Sequence, residues 1–300
     1  MNTPASGLFD GLQGLAEPYP GGRAQAESGS KIIENDYDAW KAVCLQPYRL
    51  RTDHPLLQEF NDARHAVSTL GLGDDAAAAS IRYRVLAYAA RSLVPAGGGR
   101  EAQALLSLWR HSSVHGDRLY ATGLDQFLRS DASGRYADFA QAAAESANIE
   151  KRYQAWQEAL TVIDPGLAGE AATLMQTWAS VEEHGLMDGP VRAAERYRAL
   201  SAHARGVADG LAQRWPAAML IPLLELAVHA DKHSIRLYST AAAVNSVAID
   251  QAAPYRGLPV QVAAATVHGH TDIPRGGGAF AVATGAAAPS VRKRDQQRGA

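Results

Sequence analysis

The sequence predicts a mostly all-α fold: an irregular domain of about eight helices, followed by an irregular or partly extended C-terminal segment. Three observations carry this. Alanine fills about a fifth of the 300 positions, against five Phe and five Trp, and it combines the best helix propensity with little bulk. Apolar residues recur at helical intervals from Ile33 to Ala248. No stretch of six or more residues before 254 alternates strictly between apolar and polar, as a half-buried strand would.

Residues 1–30 are Gly, Pro, Ser and Ala with little periodicity, which predicts a flexible N-terminal arm and a helical domain over 31–253. Ile33, Tyr37, Trp40 and Cys44 open the helical pattern. Asp53 can cap a second helix with Pro55 in its first turn; Leu56, Leu57, Phe60, Ala63, Val67 and Leu70 line one stripe, and Gly71 closes it. Asp74 or Asp75 caps a third helix that must end before Pro95. Two shorter helices follow, over 100–113 and 117–129, the first ending in HSSVHGD. A longer one runs from about Tyr136 to Ile163 and stops at Asp164-Pro165-Gly166. Segments 168–184 and 190–215 come next, and the last helix spans 222–252. No repeat with a fixed period is visible, which argues against a regular solenoid.

After Pro254 the character changes. Pro254, Pro259, Pro274 and the Gly276-Gly277-Gly278 triplet rule out one continuous helix over 254–289, and LPVQVAAATV and AFAVAT read as short strands or extended arms. Residues 290–300 form a basic tail.

Composition narrows the function classes. A net charge of −2 does not describe a surface built wholly for a polyanion. One cysteine, Cys44, excludes an internal disulfide and a thiolate-cluster metal site. The longest apolar run, AAMLIPLLELAVHA, falls short of the ~20 residues that cross a bilayer, and the N-terminus lacks a secretory signal. The expectation is a cytoplasmic protein with no membrane partner.

The chemistry-bearing residues gather in PLLELAVHADKHSIRLY. Glu225, His229 and His233 stand four residues apart, and Arg236 and Thr240 continue the row. It borders the stripe Leu223, Leu226, Ala230, Leu237, Ala241, with a thinner apolar line, Leu224, Val228 and Ile235, on its other side; Asp231 and Lys232 look solvated. Two imidazoles one turn apart can hold a divalent metal such as Zn, Fe or Mn. His268 and His270 of TVHGHTD are candidates to complete that site. The pattern matches neither HExxH nor Glu-x-x-His, and the leading reading is an interface row with no metal. His111 and His115 make a second pair at the same spacing, read as a helix C-terminus. Arg192 and Arg196, with Arg198, Arg205 and the basic tail, are candidates for phosphate contact. The sequence therefore points first to a protein partner, then to a metal-dependent enzyme, then to a nucleic-acid accessory factor. It leaves open whether the chain is an enzyme at all.

Overall fold

A computed structural model describes residues 16–44, 55–73, 75–163, 169 and 171–252, with side chains placed through Ala159 and Val244 in the helices that end at 163 and 252. The described residues hold eight α-helices and no strand: α1 (Gly22–Cys44), α2 (Pro55–Leu70), α3 (Ala76–Leu93), α4 (Arg100–Leu128), α5 (Phe139–Ile163), α6 (Ala172–His184), α7 (Pro190–Leu211) and α8 (Ile221–Ala252). None is long and apolar enough to cross a membrane. The segments expected to be strands or a basic tail after Pro254 lie outside the described residues.

Local chemistry explains most boundaries. The Asp75 carboxylate accepts from the Ala77 amide at 2.8 Å and caps α3, supplying a partner to an otherwise unpaired first-turn donor. Gly71 and Gly185 end α2 and α6 at φ of 47° and 48°, a region glycine enters without strain. Pro190 opens α7 where its missing N–H costs nothing.

Two expectations are corrected. Residues 16–30 are not an arm: α1 begins at Gly22, and Tyr19 is buried ahead of it. Helix α4 does not break at HSSVHGD but runs unbroken for 29 residues. Gly116 and Gly123 act there as contact points. A Cβ on Gly123 would lie 2.4 Å from the Ala77 nitrogen, and one on Gly116 would lie 3.3 Å from the Ser80 carbonyl. The bare backbone of α4 therefore lets α3 approach it closely.

The third correction concerns repetition. α1–α4 and α5–α8 are the same arrangement made twice. In the first set α1 packs on α4, α4 on α3 and α3 on α2; in the second α5 packs on α8, α8 on α7 and α7 on α6. The pattern QAxxxSxxIExxYxAW occurs at 25–40 and again at 141–156, RYRxLxxxAR at 82–91 and 196–205, and LLxLxxHxxxHxxRLYxT at 105–122 and 223–240. Contacts repeat with the letters. Tyr37 tilts on Trp40 at 5.7 Å between ring centroids, and Tyr153 on Trp156 at 5.6 Å. Arg82 and Arg196 donate to the carbonyls of Gly71 and Gly185, the glycines that end α2 and α6. The indole N–H groups of Trp40 and Trp156 are both buried without a hydrogen-bond partner. One duplicated unit of roughly 115 residues escapes a search for the 20–50-residue periods of solenoids.

The halves share one apolar core. They meet where α8 crosses α3 and α4 and where the 3-10 turn Ala217–Leu220 meets α2 and α3. α8 therefore buries two faces. Leu223, Leu226, Ala230 and Leu237 lie in the main core, while Val228 and Ile235 join Ala77, Tyr120 and Leu124 of the first half in a smaller one.

Candidate functional site: the duplicated histidine row

Each half contains a row of side chains on its last helix that faces its first. In the second half these are Glu225, His229, His233, Arg236 and Thr240 on α8; in the first they are Ser107, His111, His115, Arg118 and Thr122 on α4. The row at 225–240 is thus the second copy of a structural seam.

At its centre lies a buried imidazole. The Tyr19 hydroxyl is 2.6 Å from His115 Nδ1, and Ser30 Oγ is 3.2 Å from Nε2. Ser30 donates its own proton to the Ala26 carbonyl and accepts from the Tyr83 hydroxyl at 2.8 Å. The serine proton is spent, so Nε2 carries the imidazole proton and Nδ1 accepts from Tyr19. The Tyr83 ring meets the imidazole edge-on at 4.3 Å. The second half repeats each part. The Tyr136 hydroxyl donates to His233 Nδ1, and Nε2 faces Ser146 Oγ at 3.1 Å. Ser146 donates to the Ala142 carbonyl, and Tyr197 meets the ring edge-on at 4.4 Å. Burial, which penalises the imidazolium, pulls both His115 and His233 down to about 4. Both rings are neutral at pH 7, with each nitrogen engaged.

The rest of the row pins the approach to the first helix. Thr122 accepts from the Tyr19 amide, and Thr240 from the Tyr136 amide, each at 3.0 Å. Arg118 lies 5.4 Å over the Tyr19 ring and Arg236 lies 3.9 Å over the Tyr136 ring, an arrangement stabilised by the ring quadrupole. At the outer end the chemistry differs while the positions match. Ser107 donates to Asp36 at 3.1 Å, whereas Arg152, at the position of Asp36, pairs with Glu225 at 2.6 Å. His111 Nδ1 sits 2.6 Å from Asp36; His229 Nδ1 sits 3.6 Å from Glu145, and this neighbour holds the Glu145 carboxyl below the usual range.

These placements bear on every candidate. Glu225, His229 and His233 each turn to a different partner on α5 or just before it. Among the described residues no three His, Cys, Asp or Glu side chains gather to hold a metal ion; His268 and His270 lie outside them. Arg196 is bound to Asp188 and to the Gly185 carbonyl, so it braces the α6–α7 turn, while Arg192 is exposed. Arg205 lies 4.8 Å over the Tyr120 ring. Asp231 is not solvated. It is buried between the halves and accepts from the Tyr120 hydroxyl at 2.5 Å, and Lys232 pairs with Asp75 at 2.6 Å.

The residues that the sequence reading missed are Tyr19, Ser30, Tyr83, Tyr136, Ser146 and Tyr197. Their signal was present in the repeated QAxxxS and RYR patterns, which carry the serine and the edge-on tyrosine of each half. No family model matches the chain, and no curated protein or solved structure matches it.

Proposed function

We propose that the chain is a helical scaffold that works through protein–protein interaction, as an assembly, adaptor or accessory factor, in the cytoplasm. The observation that supports this most is the use made of the histidine row. Of the two imidazoles of the 225–240 row, His233 is buried with both nitrogens engaged, and His115 repeats that arrangement in the first half. A catalytic histidine needs a nitrogen open to the reacting group.

The metal-dependent reading has one observation in its favour. His111 and His229 are half-exposed, and each has Nδ1 beside a carboxylate, the partnership that orients metal-binding imidazoles through the other nitrogen. Nucleic-acid binding now rests on exposed Arg192 and the basic tail, since Arg196 and Arg205 have partners within the fold and Arg198 bonds to the Tyr238 hydroxyl.

One experiment separates the first two readings. Tagged full-length chain and the His111→Ala/His229→Ala variant are purified from the native cells with chemical cross-linking, with and without chelator, and assayed for bound metal. The scaffold reading expects one partner recovered in stoichiometric amount, equally by both proteins and with chelator present. Stoichiometric Zn, Fe or Mn that disappears in the variant, or recovery of no partner, overturns it.

A further inference from the structure

A wide opening lies between the halves and away from the histidine row. It is a groove of about 510 Å³ between α2, α3 and the start of α8, lined by Leu56, Ala63, Ala66, Val85, Pro216 and Ile221. Two acidic side chains, Glu59 and Asp62, stand on its wall, and no Lys or Arg lines it. Glu59 is committed to the fold, because its carboxylate accepts from the Ala218 amide at 3.3 Å. Burial raises its affinity for a proton. Such a groove fits an apolar segment that carries positive charge.

The chain contains a segment of that chemistry. Residues 254–300 hold six Lys or Arg and two Asp, a net +4 in a chain of net −2, which leaves −6 on the 253 residues before them. Their apolar stretch Ala279-Phe280-Ala281-Val282 precedes the cluster Arg292-Lys293-Arg294 by about three turns' worth of residues. Reach is sufficient. α8 is 32 residues long, so its far end lies about 48 Å from the groove at 1.5 Å per residue. The 38 residues from Ala252 to Ser290 span about 35 Å as a flexible coil and roughly 125 Å fully extended. A tethered segment also acts at an effective concentration raised by its attachment.

We infer that the C-terminal segment of this chain, residues 279–294, docks in the α2–α8 groove, with its apolar stretch on Leu56, Ala66 and Ile221 and its basic cluster beside Glu59 and Asp62. This holds whether or not the chain also binds another protein, since that reading rests on the histidine row.

The test uses the full chain with Cys44→Ser and Ser290→Cys, carrying a benzophenone on the new thiol. Photolysis of an equal mixture of ordinary and ¹⁵N-labelled protein, followed by peptide mapping, separates contacts within a chain from contacts between chains. The expected result is same-chain cross-links to peptides covering 55–66 and 216–221. They should fall at least fivefold in Ala66→Trp, which fills the groove, and weaken in Asp62→Lys, an exposed position that leaves the core intact. Cross-links spread over the surface in proportion to exposure, cross-links mainly between chains, or yields unchanged in Asp62→Lys all overturn the proposal.

Discussion

Lowering the pH from 7 to 5 should destabilise the protein through two residues, His115 and His233. Both have folded-state values near 4 against 6.5 for an unperturbed imidazole. The depressed value means that the unfolded chain takes up protons first. Stability is therefore level above about pH 7, falls as pH drops through 6.5, and levels again once the folded rings protonate near pH 4. At pH 5 an unfolded histidine is almost fully charged while a folded one is almost wholly neutral, which shifts the balance by about 2 kcal/mol per ring and about 4 kcal/mol for both. For a protein of this size that corresponds to a fall in Tm of roughly 10 °C. Urea titrations at half-unit steps between pH 7 and 5 measure it, with His115→Gln, His233→Gln and the double variant as controls. Glutamine can accept from the tyrosine and donate to the serine but does not titrate. Each single variant should remove about half of the histidine contribution, and the double variant all of it; Glu59, Asp117 and Asp231, whose carboxyls burial raises, pull the other way and are common to the parent and the variants. Glu145 and Asp188, whose carboxyls are held below their usual range by His229 and Arg196, lose their contribution only below about pH 4.5, outside this window. A double variant with the same slope as the parent would refute the assignment of buried neutral rings.

Three further outcomes follow from the same contacts. Tyr136→Phe leaves His233 Nδ1 buried without a donor and should cost about 1–3 kcal/mol in chemical denaturation, with Tyr19→Phe close to it if the halves are equivalent. Arg236→Ala should destabilise more than Arg118→Ala, by about 1 kcal/mol in thermal unfolding at matched pH, because Arg236 sits closer to its tyrosine ring, 3.9 Å against 5.4 Å. Gly123→Ala should cost about 3 kcal/mol, since its Cβ would fall on the Ala77 backbone, whereas Gly206→Ala, with nothing within 4 Å, should raise stability by about 0.5–1 kcal/mol; differential scanning calorimetry of the pair reads both.

How much of this was legible in the chain depends on which property each residue was being read for. Helices came through because apolar spacing reports directly on burial: the stripe from Leu56 to Val67 and the caps at Pro55, Gly71 and Asp75 are all present in α2 and α3. Glycine misled twice, for one reason. Reading Gly116 as a helix end and Gly21–Gly29 as an arm weighs its backbone freedom and ignores what its missing side chain permits. In α4 that absence admits α3, and beside Gly29 a Cβ would lie 2.6 Å from the buried His115 ring. Discarding the residues before 31 also removed the first QAxxxS, and splitting α4 broke the helix that carries His111 and His115, which hid the duplication.

The row at 225–240 shows why the site was harder to read than the fold. A helical projection places His229 and His233 on a border, but a border of α8 faces α5 on one side and the first half on the other, and the projection has no access to the second. Asp231 illustrates this. It looked solvated beside the main stripe, yet it is in phase with Leu224, Val228 and Ile235, at intervals of four, three and four residues. That thinner line is the face α8 turns toward α3 and α4, and Asp231 lies on it with Tyr120 as donor and Ser201 next to the same hydroxyl. Its counterpart in the first half is Ser113, and the Tyr120 counterpart, Tyr238, is only half-buried, so this contact has no second copy. Histidine rows, tyrosine donors and glycine turns belong to the repeated unit, whereas the Tyr120–Asp231 bond and the α2–α8 groove exist only where two units meet. Properties of the unit could be found by comparing the chain with itself; properties of the junction required the fold.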